Sequence, residues 1–434
     1  MGENPSDTLM RNMGDTNSLF SKPPTRKSLF RKILRKLMGT RQAAPSAATP
    51  PPPGPQQKKR AQAARRKRAA ETKAGNSQAF ASKPGSELIH GFLSASFDAP
   101  GPQAPIRCAC VCAIKDEAPY IHEYVHHHLW FGFDPIIVIL NRTSDASREI
   151  LRKISAQHPQ VLCFDCDWVD LMHPDCSLIQ RVAYAYGLSY LRRHGLATHA
   201  LLSDADEFWY TRDFQTKIDA WIRSIRNGDF DQVSFPWHNQ NAPEQRFEPP
   251  FRNPKVQASR TVKSIVRVSS PLVEPQPHHS RFAGPITHLD SRGMDFIKQA
   301  KPPFQFAGDP DDQAAYVLHR IQRSEDEYLI SLVRGNPKDH KALKDNRTGY
   351  MDTASVDHGI DSQQLVRYWA SLETMISECD ITHDIMNAKE GKISEISAFE
   401  ETVEGFLRNS DQPEKTYKTL RQILSGTRYE GRWG

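Results

Sequence analysis

Short apolar runs alternate with segments of helical periodicity in the first half of the folded chain. Four runs are short, apolar and bounded by polar residues, which predicts buried strands. These runs are 106–114, 136–140, 161–164 and 198–203. Three segments with helical spacing separate them: 120–131, 145–155 and 177–194. This alternation predicts an α/β fold, a mostly parallel sheet flanked by helices, with its ligand beyond the carboxyl ends of the strands.

The next part of the chain continues the pattern less regularly. Residues 232–237 and 263–267 predict two further strands. Residues 239–262 are rich in proline and arginine, which predicts a long irregular loop between them, usually a functional feature inside a domain. Further along the chain, we expect His319 to lie in a helix.

The same patterns predict the domain organisation. Residues 1–100 have almost no sustained apolar pattern and are rich in proline and basic residues, so they predict a disordered basic tail. The α/β domain covers residues 104–345. From about residue 352, apolar residues recur at helical spacing, which predicts a helical C-terminal region over 346–434.

One segment of the tail has a pattern of its own. Between residues 26 and 38, apolar residues recur at helical spacing and lysine and arginine fill the other side. This predicts a basic amphipathic helix that lies on an anionic membrane surface. The alternatives are a helix that docks on the protein's own core and a nucleic-acid-binding arm. Residues 1–85 hold 18 basic and four acidic side chains, a net charge of +14, whereas the rest of the chain carries −8.

Composition and apolar runs indicate the cellular compartment of the protein. No run reaches the roughly 20 apolar residues that cross a bilayer, and the N-terminus lacks the apolar core of a secretory signal. The seven cysteines suit reduced thiols better than a disulfide framework. Cys108, Cys110 and Cys112 alternate on one strand and are expected to be core residues rather than zinc ligands. We therefore expect a cytoplasmic protein, peripheral on the inner face of a membrane.

An acidic cluster ends the strand at 198–203. Asp204, Asp206 and Glu207 follow the apolar run within four positions. If the extended conformation continues, Asp204 and Asp206 point to one side and repel each other unless a cation lies between them. Mg²⁺ and Mn²⁺ take such oxygen ligands and keep positions open for phosphates. The alternative interpretation is a solvated acidic turn.

Four motifs together carry a family resemblance. They are AIKDEAPY at 113–120, GFD at 132–134, NRTSD at 141–145 and DADEF at 204–208. In order and spacing they resemble glycosyltransferases of the GT-A fold, in the family-2-like and family-92-like group that was formerly a domain of unknown function. The resemblance implies a GT-A-like domain, a nucleotide-sugar donor and a divalent metal, Mn²⁺ or Mg²⁺.

The resemblance also implies roles for individual residues. The donor-binding residues it implies are Lys115, Glu117, Asn141, Asp145, Asp204 and Lys263. A helix cap is the alternative role for Glu117 and Asp145.

A third metal ligand and a catalytic base complete the expected site. Asp204 and Asp206 are the first two ligands, and the likeness of residues 315–335 to the end of the family's domain implies His319 as the third, with His278 and His279 as competitors. An acceptor hydroxyl needs a base. The candidates are Glu244, Asp309, Asp311 and Asp312, of which Glu244 and Asp312 are preferred.

The function that follows is a metal-dependent glycosyltransferase of the hexosyltransferase type. It transfers a sugar from a nucleotide-sugar donor to a hydroxyl acceptor, a glycan or other glycoconjugate; nucleic acid is not expected as a partner. Two alternatives remain at this stage: a basic-tailed binding module on a non-catalytic α/β domain, and a metal-dependent phosphohydrolase.

Removal of residues 1–85 should abolish binding of the chain to anionic vesicles and leave catalysis on a soluble substrate unchanged. Each lysine or arginine near an anionic surface contributes roughly 1 kcal/mol, and salt screens this attraction. Co-sedimentation with vesicles at low and high salt measures the effect, with neutral vesicles as the control. Loss of all activity on a soluble acceptor would instead place these residues in the active site.

Overall fold

The computed structural model describes residues 85–94, 105–172, 178–243, 245–301, 304–333, 347, 349–350, 355–407 and 414–432. The helices in these ranges are α1 (Ser86–Ser94), α2 (Ile121–Trp130), α3 (Ser147–Gln157), α4 (Trp168–Met172), α5 (Ile179–His194), α6 (Ile218–Ser224), α7 (Glu325–Val333), α8 (Ser362–Glu378), α9 (Thr382–Leu407) and α10 (Glu414–Leu424), with a 3-10 turn at Arg226–Gly228. The strands are β1 (Cys108–Ile114), β2 (Ile136–Leu140), β3 (Val161–Asp165), β4 (His199–Ser203), β5 (Glu207–Thr211), β6 (Gln232–Gln240), β7 (Lys255–Arg267), β8 (Leu272–Glu274), β9 (Arg281–Phe282), β10 (His288–Asp290), β11 (Ala315–His319) and β12 (Val356–Asp357).

In the described residues, ten strands form one sheet in the order β3-β2-β1-β4-β7-β6-β11-β5, with β10 beside β6 and β12 beside β7. β3, β2, β1 and β4 are parallel, because helices α2, α3 and α5 connect them. β7 runs antiparallel to β4 and β6, and β11 runs parallel to β6. The predicted α/β class is therefore confirmed and is consistent with a GT-A-like fold, with parallel strands in one half of the sheet and mixed strands in the other.

The predicted strands and helices of the parallel half lie within a few residues of the observed ones. Two predictions in the mixed half are wrong. β7 begins at Lys255 and continues to Arg267, so the loop that leads to it is much shorter than the predicted 239–262. His319 ends a strand rather than lying in a helix, since β11 is buried along its whole length and pairs with both β5 and β6.

Helix α1 lies in the range 1–100 that the sequence predicts to be disordered. Its Ile89 is fully buried, and the Phe92 ring contacts the rings of Trp168 and Tyr186 at centroid distances of 6.2 and 5.5 Å. This segment is therefore folded, because its apolar face is buried against helices α4 and α5. The predicted helix at 26–38 lies outside the described residues.

The C-terminal helix α8 packs directly on α2, so both belong to one core. His127 on α2 contacts the Tyr368 hydroxyl at 3.2 Å with Nδ1 and the Trp209 carbonyl at 2.7 Å with Nε2. His126 lies 3.1 Å from the Ser371 hydroxyl. Because α8 and β5 both contact α2, residues 121–128 are all buried, more than the amphipathic pattern of α2 predicts.

Three further observations concern the described residues. Cys108, Cys110 and Cys112 are buried free thiols, as expected for core residues. Gly187 on α5 lies so close to β1 that an added Cβ atom would meet a Val111 methyl at 2.6 Å, so only glycine allows this approach. None of the described helices is long and apolar enough to cross a membrane.

Burial keeps the α2 histidines neutral. It lowers the pKa of His122 and His126 to about 3 and that of His128 to about 4, from an ordinary value near 6.5. These groups bind protons more readily in the unfolded chain than in the native state. The stability that they contribute is therefore present above about pH 6.5 and is lost as the pH falls toward their native pKa values.

The free energy of unfolding should fall steeply between pH 6.5 and pH 4. Each buried histidine contributes a slope of up to about 1.4 kcal/mol per pH unit, because it must take up a proton on unfolding. Urea denaturation at pH 7, 6 and 5 measures the slope. His126→Gln should flatten it, whereas substitution of His90, an exposed histidine of α1, should not. Equal slopes in the two variants would contradict this account.

Candidate active site

The carboxyl ends of β1, β2 and β4 meet at one edge of the sheet. The strands are parallel neighbours, and the register pairs Ile114 with Leu140 and Cys112 with Ser203. The residues that follow these strands therefore start from adjacent positions. In this way the fold brings together the predicted donor-binding segments after β1 and β2 with the acidic cluster after β4.

Asp204, Ala205 and Asp206 form a tight turn between β4 and β5. The Glu207 backbone N–H donates to the Asp204 carbonyl at 3.1 Å, and the Asp204 backbone N–H donates to the Glu207 carboxylate at 2.9 Å. β4 pairs with β1 and β7, whereas β5 pairs with β11, so the chain crosses the sheet within this turn. The expectation that the two aspartates extend the strand and share one side is therefore wrong.

A buried lysine supplies the positive charge next to Asp204. The Lys263 ammonium lies 3.3 Å from the Asp204 carboxylate and 2.8 Å from that of Glu207, and both Lys263 and Glu207 have fully buried side chains. Burial opposes the charge on Lys263, but the two carboxylates outweigh it and raise its pKa. The Asp204 carboxylate also accepts a hydrogen bond from the Gln180 amide and lies 3.3 Å from the Tyr184 hydroxyl.

Lys263 is predicted from the sequence to bind the donor, but its side chain is buried. With no exposed surface, its side chain acts on Asp204 rather than contacting a donor directly. Sequence reasoning placed a cation between the two aspartates. For Asp204, the Lys263 ammonium group supplies that positive charge.

Asp206 lies on the other side of the turn, beside His319. The Asp206 carboxylate is 3.9 Å from His319 Nε2. His319 also packs against Trp237, with a distance of 4.0 Å between ring centroids. Burial lowers the pKa of His319 to about 4, although Asp206 acts in the opposite direction, so the imidazole is neutral at pH 7. In the described part of the chain, His319 Nδ1 is buried without a hydrogen-bond partner.

These contacts decide which predicted ligands fit a metal ion. Within the described residues, no three His, Cys, Asp or Glu side chains are grouped closely enough to hold one. The predicted set of Asp204, Asp206 and His319 is therefore not assembled, because the turn directs Asp204 toward Lys263. Asp206 and His319 remain as a carboxylate and a neutral imidazole 3.9 Å apart. Such a pair fits two positions of a divalent ion whose other positions take ligand oxygens and water.

Two carboxylates after β1 have defined partners. Asp116 adopts a left-handed conformation with φ of 53°, and its carboxylate accepts a hydrogen bond from the Ser144 backbone N–H at 2.7 Å and contacts Lys115 at 2.7 Å. Burial raises the pKa of Asp116, but Lys115 and Ser144 outweigh it and hold the pKa below its ordinary value. Glu117 is buried and lies 3.4 Å from the Arg323 guanidinium.

The two predicted donor-binding residues after β2 make internal contacts. The Asp145 carboxylate accepts hydrogen bonds from the backbone N–H groups of Ala118 at 2.9 Å and Ser147 at 3.0 Å. It therefore joins the start of α3 to the loop after β1, the kind of capping role considered as its alternative. The Asn141 amide donates to Asp170 at 3.1 Å, and its carbonyl oxygen is buried without a partner among the described residues.

The base candidates before β11 are not near these groups. Asp309, Asp311 and Asp312 precede Ala315 at the start of β11, and His319 is at its other end, about 13 Å away for an extended strand. Asp312 is mostly exposed and pairs with Arg292. The structure therefore does not bring Asp312 to the candidate site. Glu244 lies outside the described residues.

Arg323 is a site residue whose contacts sequence reasoning missed. Its guanidinium lies over the Tyr120 ring, 3.4 Å from the centroid, and beside Glu117. Burial acts against its charge, but Glu117 and other nearby acidic groups raise its pKa. Arg323, Glu117, Asp116 and Asp206 line one pocket. The only sequence signal was the position of Arg323 four residues after His319, in the segment that resembles the end of the family's domain.

Comparisons with known proteins give only distant structural likenesses. No family model and no curated protein sequence matches the chain. Among solved structures, the chain is similar to the mannosyltransferase PcManGT from Pyrobaculum calidifontis, determined in complex with GDP-Man and Mn²⁺. The identity is 11%, the match covers 77% of this chain and 90% of that chain, and the TM-score is 0.28. At this identity and TM-score, the likeness carries no argument about the activity of this chain.

Lys263→Met should lower the free energy of unfolding by about 3–5 kcal/mol, because it leaves the Glu207 carboxylate buried without its partner. Lys153→Met is the matched control. Its ammonium contacts Asp384 at 2.9 Å in a partly exposed pair, so its loss should change the free energy of unfolding far less. Urea denaturation compares the two. The double variant Lys263→Met/Glu207→Gln should recover part of the loss, and equal small losses in both lysine variants would refute the role given to Lys263.

Proposed function

We propose that this chain is a glycosyltransferase that transfers a sugar from a nucleotide-sugar donor to a hydroxyl acceptor and uses a divalent ion. The observation that carries the proposal is the Asp206 and His319 pair, 3.9 Å apart. Asp206 lines the same pocket as Asp116 and Glu117. Ligands of open α/β sheets bind beyond the carboxyl ends of the strands, where these side chains lie.

Asp206 and His319 are the groups proposed to hold the ion. When bound, Mn²⁺ or Mg²⁺ supplies positive charge that neutralises the diphosphate of the donor and of the leaving group. An imidazole ligand favours Mn²⁺ over Mg²⁺. Burial keeps His319 neutral, which leaves a lone pair on the ring available for coordination.

Glu117 is proposed to accept hydrogen bonds from the nucleoside. Arg323 contacts its carboxylate at 3.4 Å and stacks on Tyr120, so Glu117 is held in one place before a donor arrives. A fixed acceptor loses little conformational entropy on binding, which increases affinity for a ribose hydroxyl or a base N–H group. The Asn141 carbonyl oxygen after β2, which has no hydrogen-bond partner among the described residues, is a second acceptor at this edge.

Asp204 and Lys263 are proposed to position the turn rather than to hold the ion. Lys263 neutralises Asp204, and Glu207 fixes both ends of the turn that presents Asp206. Asp204 retains part of its surface and is still able to meet the donor.

The acceptor hydroxyl has to lose its proton during transfer, and a carboxylate within hydrogen-bond reach is a suitable base. Asp309, Asp311 and Asp312 precede β11, at the end opposite His319. Glu244, between β6 and β7 in the chain, is therefore the base that we propose.

A nucleoside diphosphate should bind the chain at least about tenfold more tightly with Mn²⁺ than in excess EDTA, because the carboxylates alone repel a pyrophosphate. Calorimetric titration of UDP and GDP measures this difference. Asp206→Asn and His319→Ala should each reduce the Mn²⁺-dependent affinity by at least about tenfold. Glu117→Ala should weaken nucleotide binding but leave Mn²⁺ binding intact.

Asp312→Asn is the matched control for these variants, since it removes a carboxylate from the far end of β11 and should bind like the unmodified chain. Equal affinity with and without Mn²⁺ would refute the proposal. Cleavage of a phosphate ester without any transfer of sugar would favour a metal-dependent phosphohydrolase instead.

A further inference from the structure

A row of aromatic rings leads from the candidate ion site to the protein surface. The His319 ring is 4.0 Å from that of Trp237, the Trp237 ring is 5.4 Å from that of His278, and His278 stacks on Phe304 at 4.9 Å, all between ring centroids. Phe304, at the outer end of the row, keeps 36% of its surface exposed. We call Trp237, His278 and Phe304 the aromatic row.

Separate parts of the fold position the members of the aromatic row. Trp237 follows a bulge in β6, and the His278 ring is fixed by a contact of 3.0 Å between Nδ1 and the Val262 carbonyl. Phe304 lies next to a hairpin whose described arms are residues 297–299 and 305–307, and the second arm pairs with the edge of β7 at Thr261. β4 pairs with β7 only at residues 265–267, so the edge of β7 at Thr261 is open to the hairpin. The hairpin therefore lies beyond the end of β4, where Asp204 begins.

Two polar groups beside the row lack hydrogen-bond partners in the part of the chain that the structure describes. Trp237 Nε1 and Asn239 Oδ1 are buried without partners among the described residues. The two residues are two positions apart on β6 and share a face, and the register pairs Asn239 with His319. A buried N–H donor and a buried amide oxygen that remain unpaired are costly, so a ligand with hydroxyl groups gains by satisfying them.

We propose that the aromatic row is the acceptor subsite and that its occupant is the pyranose ring of a neutral saccharide. This inference rests on the proposed glycosyltransferase function and assigns the acceptor class. The C–H face of a pyranose ring stacks on aromatic side chains, and its hydroxyl groups both donate and accept hydrogen bonds, which matches an indole N–H and an amide oxygen. A ring on Trp237 has its hydroxyl groups beside His319, at the proposed ion.

An acyl chain matches the row less well. It would cover the aromatic surface but leave Trp237 Nε1 and Asn239 Oδ1 without partners. The nucleoside is proposed to bind at the ends of β1 and β2, and β4 and β7 separate those strands from β6. The aromatic row is therefore left for the acceptor.

A printed array of mono- to hexasaccharides, probed with the full chain in the presence of UDP or GDP and Mn²⁺, tests the inference. We expect the unmodified chain to be retained by at least one class of neutral saccharide. Phe304→Ala and Trp237→Leu should each weaken retention by at least about fivefold, and Phe304→Tyr should restore it, because it keeps the stacking surface. Leu171→Ala is the control for loss of exposed apolar surface, since Leu171 is 76% exposed on α4, away from the row.

Calorimetry with the nucleoside diphosphate and Mn²⁺ separates the two possible failures and confirms that each variant is folded. Absence of nucleotide binding by the unmodified chain would reject the proposed function itself. Nucleotide binding without retention by any saccharide would reject only the acceptor assignment. Retention that is equal in Phe304→Ala, Trp237→Leu and the unmodified chain would also overturn it.

Discussion

The buried ion pair between Lys263 and Glu207 is the constraint on which the candidate site depends. Two charges without exposed surface are costly unless each has a close partner, so the ammonium on β7 fixes the first residue of β5. Glu207 also closes the turn at 204–206 and lies opposite His319 in the register of β5 and β11. One contact therefore fixes the turn, the strand crossing and the approach of Asp206 to His319.

The helical C-terminal region contributes to the same arrangement through its contacts with α2. Helix α2 starts soon after Glu117, and its histidines contact both α8 and the backbone of β5. Burial of α2 by α8 therefore holds the segment that carries Glu117 against the strand that begins after Asp206. The segments at 104–345 and 346–434 that the sequence pattern separates share one apolar core, which includes Tyr368 and Leu372 of α8.

The two halves of the sheet edge differ in chemistry. Charged side chains follow β1, β2 and β4, where Asp116 and Glu117 are held by Lys115 and Arg323. Aromatic side chains occupy the half formed by β6, β7 and the hairpin arms at 297–299 and 305–307. Asp206 and His319 lie where the halves meet. This division suits the proposed reaction, because the charged half with a bound ion can take a nucleotide donor and the aromatic half can take a neutral acceptor.

The sequence by itself determined the α/β alternation, the strands of the parallel half to within a few residues, and the acidic cluster at the edge of the sheet. These features depend on local periodicity and on where apolar runs end. Only the tertiary structure decided that Lys263 neutralises Asp204, that Asp206 faces His319, that Arg323 holds Glu117, and that Asp312 is at the wrong end of β11. Those contacts join residues far apart in the chain, and strand register and turn geometry fix them rather than sequence spacing.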